Sequence, residues 1–120
     1  MEIPVALESL SALAHETRLW VFRVLVQAGP AGLPAGDIAE ALSCRQNTMS
    51  SHLRQLHAAG LIESERQGRQ VLYRANYDAV RQLILFLVED CCAADSRLCE
   101  PLVTSLAAGF ATAAGPRNPG

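Results

Sequence analysis

A mainly α-helical chain with one β-hairpin, arranged as a winged helix-turn-helix, is predicted by three observations on this 120-residue sequence. The first is order. Two amphipathic helical patterns precede a short helix and a longer one, then two alternating strands, then a further helix. The second is segment 45–59, which puts apolar residues on one side and short polar groups with arginine on the other. The third is local charge. From Cys44 to Arg74 five arginines stand against two glutamates, a net of +3 in a chain whose overall charge is −2.

The elements follow in order. Residues 4–14 carry Leu7, Leu10 and Leu13 on one side, and residues 16–28 carry Leu19, Phe22 and Val26 beside Val21 and Leu25. The glycines and prolines of AGPAGLPAG at 28–36 stop that helix. A short helix is expected over 36–42, and Ser43 interrupts it before the longer helix 45–59, which Gly60 caps. LIESER and QVLYRA alternate in polarity around QGR and read as a hairpin. Asn76 is a capping residue for a helix over 77–92, and Pro101 suits the first turn of another in PLVTSLAAGF. One domain, 1–110, and a disordered tail, 111–120, are expected.

Half the residues are hydrophobic and 18% are charged, which places the chain among globular proteins. No 18-residue apolar run is present, and MEIPVALESL lacks a basic leader segment, so no membrane association and a cytoplasmic location are expected. There thiols stay reduced, and clustered cysteines point to metal or redox chemistry more than to disulfides.

Within 45–59, Met49, Leu53 and Leu56 mark the inward side. Gln46, Asn47, Thr48, Ser50, Ser51, His52, Arg54 and Gln55 are the candidates for contact with double-stranded DNA, since such groups suit base edges and arginine suits phosphate or guanine. LAHETRLWVFRVL, GDIAEALSCRQNTMSSHLRQLHAAGLI and ESERQGRQVLYRAN, in that order, resemble the ArsR/SmtB family of bacterial metal- and stress-responsive repressors over about residues 5 to 92. The resemblance implies a homodimer formed by the first and fifth helices, with Leu7, Leu10, Val80, Leu83, Ile84 and Leu87 in its interface. It also implies that helix 45–59 reads an operator half-site and that Arg66, Gln67 and Arg69, around Gly68, reach phosphate or minor groove. Thr17 and Arg18 match the family's TRL motif, with a role mainly in packing.

The inducer has to be argued from ligands. No histidine follows His57, so the family's zinc site on the dimer helix is absent. Neither the short helix PAGDIAEAL nor the end of the recognition helix, LRQLHAAG, contains a cysteine. What remains is Cys91, Cys92 and Cys99 in EDCCAADSRLCE, which resembles the arsenic-responsive members of the family. Three thiolates without imidazole suit As(III) or Sb(III), each taking three sulfurs in a pyramid. Zn(II) would need an acid as fourth ligand, and Cd(II), Pb(II) or a redox switch are the alternatives. The acids beside these thiols, and the helix C-terminus, favour the protonated thiol and disfavour redox or enzymatic use. A continuous helix would hold Cys92 and Cys99 about 10 Å apart along its axis, so the helix is expected to end near Cys92.

Overall fold

A computed structural model describes residues 1–94 together with 100, 101, 104, 105 and 108, the side chains of 90–94 excepted. Its helices are α1 (Ile3–Leu13), α2 (Glu16–Ala28), α3 (Ala35–Ala41), α4 (Gln46–Ala58) and α5 (Tyr77–Ala94). Its strands are β1 (Leu33–Pro34), β2 (Ile62–Gln67) and β3 (Gln70–Ala75). The chain divides into two compact units, Met1–Leu83 and Ile84–Gly120.

Most of the core of the first unit comes from the helix-turn-helix. Val21 and Leu25 of α2, Ile38 of α3, Met49, Leu53 and Leu56 of α4, and Leu61 are almost fully buried. The expected inward side of α4 is therefore the observed one. Withdrawing each such side chain from water contributes about 1.5–3 kcal/mol. The turn between α3 and α4 closes through Ser43, whose φ of 51° lies in the left-handed region, and through a bond from the Cys44 N–H to the Ala39 carbonyl at 2.9 Å.

Gly60 ends α4 as expected. Its φ is 78°, its N–H donates to the His57 carbonyl, and the Leu61 N–H donates to the Leu56 carbonyl, a Schellman closure sealed by two buried leucines. Asn76 extends this junction. Its Oδ1 accepts from the Ala79 N–H at 3.2 Å, capping α5, while its Nδ2 donates to the Gly60 carbonyl at 3.1 Å.

The hairpin forms where the alternation places it, with Ile62 paired to Ala75 and Gln67 to Gln70. Gly68, at φ 62°, takes the first of two loop positions. A third strand was not expected: β1, two residues inside the Gly/Pro-rich segment, pairs antiparallel with β3, giving the sheet order β1-β3-β2. Two residues are too few for any periodicity to announce, and the pairing exists only because β3 offers its free edge.

One expectation is corrected: the fifth helix continues past Cys92 to Ala94. Val80 packs on the core and Leu83 is 7% exposed, so both contribute to the subunit's own interior. The residues of PLVTSLAAGF that are described, 101, 104, 105 and 108, are helical, and the tail 111–120 lies outside the described residues. Among the described residues no helix is long and apolar enough to cross a membrane.

Candidate nucleic-acid interface

Helix α4 is held at both ends, by the α3 turn and by the Schellman closure, so its outward side is presented on a fixed axis. Gln46, Asn47, Thr48, Ser50, Arg54 and Gln55 are exposed and Ser51 is half-buried. Two of these are already engaged locally. The Ser50 hydroxyl donates to the Gln46 carbonyl at 2.9 Å, and Asn47 Oδ1 accepts from the Thr48 N–H at 2.9 Å. Arg54 makes no ion pair among the described residues.

His52 is the exception. It is 8% exposed and belongs to the inner side of α4, its ring 4.7 Å from that of His15. It cannot read base edges from there. Its position could have been found: it lies three residues after Met49 and four before Leu56, inside the apolar stripe. His15 caps α2, its Nδ1 accepting from the Thr17 N–H at 3.2 Å, which requires that nitrogen to be unprotonated. Arg18 closes the same corner by donating from Nε to the Ala12 carbonyl at 2.6 Å, so the TRL residues do serve the junction of α1 and α2.

Burial first, then His15 and Arg18, pushes His52 below the ordinary histidine value of 6.5. Its Nδ1 has no hydrogen-bond partner among the described residues. The unfolded chain thus takes up a proton at His52 before the folded one does, and stability falls as pH drops below about 6.5. The thermal midpoint should decrease from pH 7.5 to pH 5.5, and less steeply in His52→Gln. Parallel pH profiles for the two proteins would show that His52 titrates alike in both states.

At the wing, Arg66, Gln67 and Arg69 are exposed. Gln67 donates to Glu65 at 3.1 Å, and Arg74 reaches the same carboxylate at 3.4 Å and the Pro30 carbonyl at 3.4 Å. Arg74 therefore braces the sheet against the α2–β1 loop. Among the described residues the arginines at the tip without an ion pair are Arg66 and Arg69.

Among the described residues no three of His, Cys, Asp and Glu gather closely enough to hold a metal ion. Cys91 and Cys92 lie on the last turns of α5, their side chains outside the described residues, as is Cys99 altogether. Cys44 is a free, half-buried thiol in the α3–α4 turn, against the core.

Helix α1 meets the core through small residues, Ala6, Ser9 and Ala12, and leaves Leu7 59% and Leu10 39% exposed. On α5, Ile84 and Leu87 are likewise exposed.

A helix-turn-helix domain model matches residues 13–65. The biofilm growth-associated repressor of Agrobacterium fabrum is 33% identical over 89 residues, which cover 74% of this chain and 74% of that protein. An ArsR-like transcriptional regulator from a Rhodococcus species has the same fold, with a TM-score of 0.67 and 29% identity over 81% of this chain and 89% of that one. So does the homodimeric winged helix-turn-helix DNA-binding domain of a possible ArsR-family regulator from Mycobacterium bovis. Its TM-score is 0.61 and its identity 28%, over 77% of this chain and 83% of that one.

Proposed function

Starting from the ArsR/SmtB family of helix-turn-helix transcriptional repressors, to which this chain belongs, we propose that it binds operator DNA as a homodimer and releases it when As(III) or Sb(III) engages Cys91, Cys92 and Cys99. As a member of that family it is a DNA-binding regulator and not an enzyme.

The observation that carries the inducer is the pair of adjacent thiols on the last turns of α5, in a chain with no imidazole after His57. Because α5 is described as far as Ala94, four residues, 95–98, separate that point from Cys99. At up to about 3.5 Å per residue they can span far more than the roughly 3 Å from Cys92 to Ala94 along the axis. The covalent chain therefore permits Cys99 to return to the pair. Asp90, Asp95 and Glu100 favour a second reading, in which a carboxylate completes a tetrahedral site and Zn(II), Cd(II) or Pb(II) is the inducer.

The DNA half of the proposal rests on the exposed polar row of α4 and the free arginines of the wing. The dimer half rests on α1, which turns its leucines outward and its small residues inward. A leucine pair left in water on a chain of this size is stabilised by a second copy.

One titration tests the DNA contacts and the inducer. A fluorescent duplex selected by the protein from a random pool is bound at several salt concentrations, with and without arsenite. Arg54→Ala and Arg69→Ala should each weaken binding, and the log–log salt slope should fall by about 0.9 for each phosphate that is no longer neutralised. Arsenite should lower the parent's affinity by roughly 5- to 150-fold, the usual range of coupling between two sites. Unchanged affinity and slope in both arginine variants would remove those residues from the interface. Full retention of DNA in arsenite would remove the inducer.

A further inference from the structure

We infer that the groove between the second half of α4 and the wing is a seat for one backbone phosphate of duplex DNA, with Arg54 and the Ser64 hydroxyl as its donors and His57 Nε2 orienting that hydroxyl. The inference rests on the DNA-binding reading above and adds to Arg54 two residues which that reading does not contain, Ser64 and His57.

The groove encloses about 370 Å³. Ser50, Arg54 and His57 of α4 form one wall, Ser64 of β2 and Tyr73 of β3 the other, and buried Leu53 closes the inside. Positions 50, 54 and 57 are spaced i, i+4, i+7 and so form a single stripe. At 100° per residue this stripe lies roughly a quarter-turn around α4 from the outward row of Asn47, Thr48, Ser51 and Gln55. A helix that turns that row to base edges presents its flank to the sugar-phosphate strand.

The chemistry of the walls selects an anion. Among the described residues no carboxylate lines the groove. Arg54 has no ion pair among the described residues, whereas the wing's Arg74 is already held by Glu65. The Ser64 hydroxyl and His57 Nε2 are 3.4 Å apart across the groove. With the ring nitrogen as donor, the Ser64 proton is left to point at a phosphate oxygen. Ser50 has its proton committed to the Gln46 carbonyl, so it shapes the wall without donating. A guanidinium and a hydroxyl whose proton the imidazole leaves free meet at one concavity and match the oxygens of a phosphodiester better than a base edge, which would need acceptors as well.

The test uses the full chain, the selected duplex, and a set of duplexes in which single phosphates are replaced by neutral methylphosphonate. Ser64→Ala and His57→Gln should each weaken binding by roughly 3- to 10-fold, equally on selected and unrelated duplexes, because phosphate contacts carry no sequence information. One methylphosphonate position per half-site should weaken the parent and leave both variants unaffected. Both positions are exposed, so unchanged thermal midpoints should accompany these losses. If parent and variants respond alike at every methylphosphonate position, the seat is wrong while DNA binding stands. If the parent binds no duplex, the underlying reading falls and the seat with it. A third arm titrates inorganic phosphate and follows the His57 ring by NMR. Saturation there, without any sensitive methylphosphonate position, would assign the groove to a free oxyanion and overturn the DNA contact.

Discussion

Cys91→Ser and Cys92→Ser proteins should bind the selected duplex with parental affinity and stay on it when arsenite is added. The reason is separation in the chain. Both thiols sit on α5, after the recognition helix α4 and the wing strands β2 and β3 have ended, so their removal touches no proposed DNA contact. An inducer can release DNA only by binding the DNA-incompetent arrangement more tightly than the competent one. Loss of one of three sulfur bonds removes that preference, and a response of roughly 5- to 150-fold in the parent collapses toward none. Anisotropy under reducing conditions, with arsenite and zinc at equal concentrations, separates the candidate ions. Arsenite should act at the lower concentration. Its apparent affinity should rise from pH 6 to pH 8, because binding displaces the thiol protons. Zinc acting first would mean that an acid completes a tetrahedral site. A Cys99→Ser protein that responds as the parent does would restrict the site to the adjacent pair, a geometry that suits methylated arsenic with two open valences.

Gly32→Ala should be the most damaging single methyl added to the wing. Gly32 has φ of 73°, and a Cβ built there would lie 2.5 Å from the carbonyl oxygen of Tyr73. The left-handed conformation alone costs about 1–2 kcal/mol for a residue with a side chain. The collision is with backbone, in the strand that Leu33 pairs with, so it can be relieved only by moving β1 off β3. A combined loss of about 3 kcal/mol corresponds to a thermal midpoint roughly 10 °C lower. Gly68→Ala is the control. Its φ of 62° is similar, but nothing lies within 4 Å of the added carbon, so only the conformational cost applies. Equal destabilisation by the two substitutions would show that the contact with Tyr73 relaxes at no cost.

The extent to which the site was legible follows from which interactions are local. The outward row of α4 could be read because Met49, Leu53 and Leu56 recur at helical spacing, and the opposite side is then exposed by geometry. His52 was misplaced because it was read by residue type, as a polar group near DNA-facing neighbours, although the same spacing puts it inside. Arg74 was counted toward the basic charge of the region, yet Glu65, nine residues away, neutralises it across the hairpin. The groove that joins His57 to Ser64 could not be anticipated, since it needs the wing to fold back along α4.

By itself the sequence determined the order of helices and hairpin, the turns at Gly60 and Gly68, the cap at Asn76 and the inward stripe of α4. Each of these is set by dihedral preference or by side-chain periodicity within a few residues. Only the tertiary structure decided that β1 joins the sheet, that α1 buries alanine and shows leucine, that Val80 and Leu83 pack into the subunit's interior, and that Arg74 is ion-paired while Arg54 makes no ion pair among the described residues. Those outcomes depend on which surfaces meet across tens of residues, and a composition that is half hydrophobic offers more apolar stripes than one small core can cover.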